Sequence, residues 1–227
     1  LDGAIRITSS DSRLPIVILK AATPGEVLQG LNELTGRMEM PPRWALGYHQ
    51  YAPKGDVGIR AGAAWLRETG VPADVIWLEH LDNSAAGWNL TLYPDPPKLV
   101  ADLKALGLRV VSGLPAWMPQ KAGDSVYDAG TASECWVLLD SGSAATRTGG
   151  SDSLVLPDFT REATRKWWSG LIDNLAKGGV AGFVLPRRNQ LELPPAATLR
   201  GDPALGGPGH AEQYGMVLPT LSARATV

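Results

Sequence analysis

Cysteine is almost missing from this chain. Cys135 stands alone among 227 residues, which excludes an internal disulfide and any cluster of thiolate metal ligands. Histidine is nearly as scarce: His49, His80 and His210 lack the close spacing of a zinc site, so neither a metal nor a cofactor is expected. A thiol remote in sequence from every histidine reads as a small buried hydrophobe rather than a nucleophile. Charge of one sign is not in excess either. Lys and Arg number 21 against 23 Asp and Glu, a net charge of -2, which offers no basic surface to nucleic acid or anionic lipid. No apolar run approaches the roughly 20 residues that span a bilayer. The opening stretch, LDGAIRITSSDSRLPIVIL, does not follow the basic-then-apolar order of a secretory leader.

Tryptophan, glycine and proline are plentiful. Eight tryptophans supply large flat apolar surfaces, suited to a core or to stacking against sugars. Glycine and proline punctuate an alternation of strand-like and helix-like runs. PIVIL (Pro15 to Leu19) reads as a strand. Thr23, Pro24 and Glu26 then form a capping box with proline at the first helical position. Val27, Leu28, Leu31 and Leu34 make one apolar stripe that Gly36 ends. A short strand is expected from Ala45 to His49, and a helix across Val57 to Thr69 that closes at Gly70. ADVIWL (Ala73 to Leu78) and LRVVSGL (Leu108 to Leu114) are continuously apolar, as strands covered on both faces are. PPKLVADLKALG is the helix between them. Trp117 to Gly150 reads as irregular, with a short strand at Trp136 to Leu139. Asp158 and Thr160 read as caps of a helix through Trp168, Leu171, Ile172 and Leu175, and VAGFVL (Val180 to Leu185) as the fourth buried strand. A last helical segment is expected from His210 to Val227, interrupted at Pro219.

Successive βα units with apolar strands imply α/β architecture and a parallel sheet. An eight-stranded barrel typically takes about 250 residues. With about four βα units and long βα loops, this chain reads as the first half of a (β/α)8 barrel. Four units leave two open parallel edges, which natural sheets cover. A protein partner, an oligomer or further residues are therefore expected to complete the barrel.

At LTGRMEMPPRWALGYHQ (Leu34 to Gln50) the sequence resembles the entry to the catalytic barrel of glycoside hydrolase family 31, the α-glucosidase family. Further blocks follow in the family's order: GVPADVIWLEH, LYPDPPKLVADLKALGLRVV, LPDFTREATRKWW, GVAGFVLPRRNQ and GHAEQYG. The glucosidase II subgroup is the most similar by eye, since WLEH resembles its WLDIEH with a short deletion. The resemblance divides the chain into residues 1–36, the end of a preceding β domain with a linking helix, and 37–227, the incomplete barrel. It implies a retaining glycosidase whose two carboxylates stand about 5 Å apart, with an α-glucoside or glycan as ligand. It also implies the secretory pathway, with which the sequon at Asn89 to Thr91 is compatible.

The family's nucleophile is the aspartate of DMNEP, just past the fourth strand. Matching Asn189-Gln190 to the Asn-Glu of that motif sets Arg187 at the nucleophile position. A guanidinium is a permanent cation with donors only, so it cannot attack an acetal carbon. Leu185, Pro186, Arg188 and Leu191 serve no better, and Glu192 is the nearest carboxylate that could substitute. The general acid belongs to a later strand than this sequence contains. Hydrolysis is therefore expected to be lost. Glu79 and His80, just past the second strand, are candidates for substrate binding, as are Trp117 and Tyr48. Trp88 and Trp117 fit sugar stacking or loop packing, Trp77 fits the core, and Tyr48, His49 and Gln50 fit a pocket floor or barrel packing. The Arg187-Arg188 pair reads either as an acquired anion site or as solvated charge. Two function classes follow: an α-glucosidase-type hydrolase, or a non-catalytic structural or partner-binding descendant of one.

Overall fold

The computed structural model describes residues 7, 16–37, 40–51, 55–78, 87–114, 117–149, 152–184, 193–194 and 196–203. The chain divides into two compact units, Leu1–Leu46 and Gly47–Val227. In the first, α1 (Pro24–Thr35) starts on the expected box: Thr23 accepts from the Glu26 amide, and the Glu26 carboxylate accepts from the Thr23 amide. Its apolar stripe, however, buries no residue, so capping alone specifies this helix. A 3-10 turn, Arg43–Leu46, follows. The strand expected at Pro15 to Leu19 does not form over the described residues 16–19. Ile16, Val17 and Ile18 are exposed there; strand propensity without a neighbouring strand to pair with does not make a strand.

The second unit is built on a four-stranded, all-parallel sheet in the order β1-β2-β3-β8, where β8 is Val180–Val184. β1 is Tyr48–Tyr51, β2 Ala73–Leu78 and β3 Arg109–Gly113, with α2 (Asp56–Glu68) and α3 (Pro96–Ala105) as the crossovers between them. β1 thus begins three residues later than the sequence pattern suggests, because the preceding residues coil into the 3-10 turn. Asp95 caps α3 by accepting from the Lys98 amide, and both crossover helices stop before a glycine held at positive φ, Gly70 and Gly107.

The segment expected to be irregular is ordered. It carries β4 (Met118–Pro119), α4 (Ser125–Ala132), β5 (Leu138–Leu139), β6 (Thr146–Gly149) and β7 (Asp152–Val155). β4, β7 and β6 form a small antiparallel sheet. Short strands rich in Gly, Ser and Thr carry too little apolar periodicity to announce themselves, and their pairing supplies the order instead. α5 (Glu162–Lys177) then leads into β8 (Val180–Val184), the fourth strand of the parallel sheet. β9 (Ala197–Thr198) turns back to pair antiparallel with β5. The helical segment expected from His210 to Val227 lies outside the described residues.

One face of the parallel sheet holds the core. Ile59, Ala63 and Leu66 of α2, Leu99 and Leu103 of α3, and Trp168, Ile172 and Leu175 of α5 join Ile76, Leu78, Val110 and Val180 of the strands in a single buried cluster. The spacing of those helix positions repeats the i, i+3, i+4, i+7 rhythm that turns one stripe toward the sheet. Trp136 is locked into the flanking insertion, stacked on Tyr127 and edge-on to Trp167. A Cβ on Gly130 would meet its ring at 2.5 Å, so only glycine fits that turn of α4.

An ion-pair network ties α2 to α3. Arg60 bonds Asp56 at 2.6 Å and also Asp102, to which Lys98 donates at 2.8 Å. The hydrogen bond from Lys98, then that from Arg60, holds the Asp102 carboxyl below its ordinary value. A carboxylate whose folded-state pKa is depressed contributes stability above its unfolded pKa, and that contribution disappears as pH falls through the folded value. Asp102→Asn is therefore expected to lower Tm modestly at neutral pH, with the gap from the wild type closing as pH falls below about 4. A parallel loss at every pH would show that the network acts through packing instead.

Candidate active site

In a βα barrel the chemistry gathers at the carboxyl ends of the strands, because the βα loops converge there. At that end β1 finishes at Tyr51, β2 at Leu78, β3 at Gly113 and β8 at Val184. The tips of β3 and β8 are bonded together, with the Leu114 amide donating to the Val184 carbonyl at 2.8 Å. Arg187, Glu192, Glu79 and His80, the residues singled out beyond these tips, all lie outside the described residues.

Residues on either side of that region are firmly held. Leu193 is buried in the core, and β9 is fastened to β5 and its surroundings. Thr198 donates to the Asp140 carboxylate at 2.9 Å, and the Asp140 amide donates to the Ala196 carbonyl. The chain between Val184 and Leu193, which includes Arg187, thus starts and finishes on anchored structure.

A second fastening lies at Asp158. It is fully buried, and its carboxylate accepts from the Thr160 amide at 3.1 Å, from the Thr160 hydroxyl, and from the Arg200 amide at 2.8 Å. Asp158 is therefore not the helix cap its position suggests; Arg161 occupies that place, without a side-chain bond to the helix. Arg161 and Arg200 both reach Glu134, a residue held at positive φ, through its carbonyl and its carboxylate. These bonds join the insertion after β3 to the chain after β8. Cys135 sits beside them, buried, with burial pushing its thiol up and away from the thiolate form a nucleophile needs.

Of the aromatic candidates, Trp117 is 5% exposed, and the Arg147 guanidinium lies 4.8 Å from its ring centroid. Trp88 stands edge-on to Tyr93. Tyr48 is 49% exposed and donates to Gln50 at 2.8 Å. The sequence reading did not bring out what β1 and β2 present on the sheet face opposite the helices. Tyr51 pairs in register with Trp77, and their rings stack at 5.1 Å and 24°. The Trp77 indole donates to His49 Nδ1 at 2.9 Å. The period of two along a strand could have placed His49 and Tyr51 on one face, but only the register shows which side chain of β2 they meet. Among the described residues no three of His, Cys, Asp and Glu converge as a metal site, and no helix is long and apolar enough to cross a membrane.

Four parallel strands alternating with helices, with strand tips and loops gathered at one end, define a partial βα barrel of the TIM type. The profile of the Glycosyl hydrolases family 31 TIM-barrel domain matches residues 38–193, more than half of the chain, and the chain belongs to that family. Alpha-glucosidase 2 of Bacillus thermoamyloliquefaciens is 32% identical over 156 residues, which is 66% of this chain and 20% of that protein. The chain thus spans about a fifth of the length of that curated relative. Among solved structures, an ER glucosidase II heterodimeric complex of catalytic subunit and regulatory-subunit binding domain superposes with a TM-score of 0.77 at 21% identity, over 91% of this chain and 24% of the other. A family 31 dextranase of Flavobacterium johnsoniae, complexed with glucose, gives 0.74 at 20% identity over 88% and 26%. At these identities the structures establish the fold.

Proposed function

We propose that this α-glucosidase-like barrel segment binds carbohydrate without hydrolysing it. The observation that carries the reading is the order of the parallel sheet. β8 is its fourth strand, and the residues immediately beyond it, Leu185 to Leu191, contain no carboxylate. Retaining hydrolysis needs a carboxylate there to attack the anomeric carbon. Arg187 offers a cation instead, which opposes the oxocarbenium-like charge of the transition state. In this reading Glu79, His80 and Tyr48 are what remains of a substrate pocket, whereas Trp117, buried beneath the Arg147 guanidinium, serves packing. The ligand is an α-glucoside or related glycan, consistent with the glucose held by the dextranase neighbour. Residues 1–36 serve as the link from a preceding domain and 37–227 as the barrel segment.

The open edges of β1 and β8 support a structural role beside binding. Each pairs with one strand among the described residues, so a partner, a second copy or further residues of a longer chain would cover them. The glucosidase II neighbour is itself a heterodimer. Endoplasmic-reticulum residence follows as part of the same proposal.

Incubation with 4-nitrophenyl α-glucoside tests the catalytic part. Release of nitrophenol is expected to match the enzyme-free control. Turnover above that control, abolished by Glu192→Gln, would falsify the reading by identifying a displaced nucleophile.

A further inference from the structure

We propose that Asn89 is an acceptor for an N-linked glycan. The proposal rests on the secretory-pathway residence put forward above, and it names the residue and the atom that would carry the sugar. Asn89-Leu90-Thr91 is the one Asn-X-Ser/Thr triplet of the sequence, with leucine rather than proline at its centre. It lies between β2 and α3, in the loop after a strand that has neighbours on both sides, so it does not depend on the open edges of the sheet.

The fold presents this side chain in the orientation that glycosylation requires. Asn89 Oδ1 accepts from the Thr91 amide at 3.0 Å and from the Leu92 amide at 3.1 Å. The Asn89 backbone carbonyl accepts from the Leu92 and Tyr93 amides at 3.0 and 2.8 Å. An amide oxygen only accepts and an amide nitrogen only donates, so two backbone N–H donors fix which end of the side chain is oxygen. Oδ1 is therefore committed to the turn, and Nδ2 is not. Among the described residues Nδ2 donates to nothing, and it is not one of the buried polar atoms left without a partner, so it meets solvent. The turn itself is anchored: Tyr93 is fully buried and edge-on to Trp88, while Leu90 is 64% exposed and Thr91 is exposed beside it.

A turn of this kind accounts for asparagine or aspartate at position 89. It does not account for Thr91, which enters the turn through its backbone amide alone. Its exposed hydroxyl bonds to nothing among the described residues. The acceptor triplet is what requires that hydroxyl. The donor is an oligosaccharide carried on a lipid diphosphate. Transfer breaks the bond between the anomeric carbon and the diphosphate oxygen, and the diphosphate leaves with its electron pair. A bond forms from that carbon to Asn89 Nδ2, which gives up one of its two protons to a base of the transferase. Oδ1 keeps both lone pairs throughout, so the glycosylated residue fits the same turn.

The full chain, expressed in mammalian cells behind a secretory leader, tests the site. A single step to lower mobility is expected, reversed by peptide N-glycosidase. Asn89→Gln and Thr91→Ala should abolish the step, and Thr91→Ser, which keeps a hydroxyl, should retain it. Asn89→Asp keeps an acceptor for both amides, so it should be recovered at the wild-type yield without the glycan, which separates loss of the sugar from loss of the fold. A wild-type chain recovered from the secretory lumen at unchanged mobility overturns the proposal, as does a step that persists in Asn89→Gln. Because the leader imposes the compartment, these outcomes concern Asn89 alone. Fractionation of cells expressing the chain without that leader reports on residence, so either conclusion can fail without the other.

Discussion

Asp158→Ala is expected to be the most damaging single change outside the hydrophobic core. The carboxylate is completely buried and accepts from two backbone amides and one hydroxyl on chain segments some forty residues apart. Alanine leaves those donors buried without acceptors. Bonds to a charged group contribute about 1.5–3 kcal/mol each, and an orphaned buried donor costs a further 1–3, although such terms do not add fully. A net loss of about 3–5 kcal/mol follows, or a Tm lowered by roughly 6–20 °C for a chain of this size. Asp158→Asn, which keeps one carbonyl oxygen, should lose less. The effect should also be local at first. The Arg200–Gly201 segment, held by the Arg200 amide to Asp158 and the Gly201 amide to the Thr160 hydroxyl, should gain hydrogen-exchange rate before the parallel sheet does. Denaturant melts giving less than about 1 kcal/mol of loss would mean the segment is held by β9 and Glu134 alone.

Trp168→Ala should match that loss through a different term. Trp168 is 1% exposed, packs edge-on against Phe159 at 5.1 Å, and contacts Trp167. Removing an indole from such a place forfeits transfer energy and leaves a cavity, about 3–5 kcal/mol in comparable cores. Trp168→Phe makes the sharper comparison. The indole N–H of Trp168 is buried and finds no acceptor among the described residues. Phenylalanine discards that unsatisfied donor while keeping most of the ring, so its loss should fall to about 1–2 kcal/mol, below what area alone suggests. Equal losses in the two variants, measured by urea melts, would show that the N–H is satisfied in solution.

These two sites differ in how far they could be read in advance. Trp168 was legible, because Trp168, Leu171, Ile172 and Leu175 share a helical rhythm that turns most of them inward, and three of the four are buried. Asp158 was not. Its position before a helix invites a cap, yet its partner Arg200 lies forty-two residues away and no local pattern records that meeting. The apolar stripe of α1 misled in the opposite direction. Period alone cannot say whether a covering surface exists, and here all of Val27, Leu28, Leu31 and Leu34 remain exposed.

By itself the sequence determined the order of strands and crossover helices, the caps of α1 and the glycine that follows α2, and the family, since these are recorded in short stretches of neighbouring residues. It also determined that Leu185 to Leu191 hold two arginines and no carboxylate, because the identity of a side chain does not depend on its surroundings. Tertiary structure alone decided which aromatic ring reaches solvent, how β9 closes on β5, and that Asp158 fastens rather than caps. Each of those depends on register or on a contact across tens of residues, and such contacts are set by packing free energy summed over the whole fold.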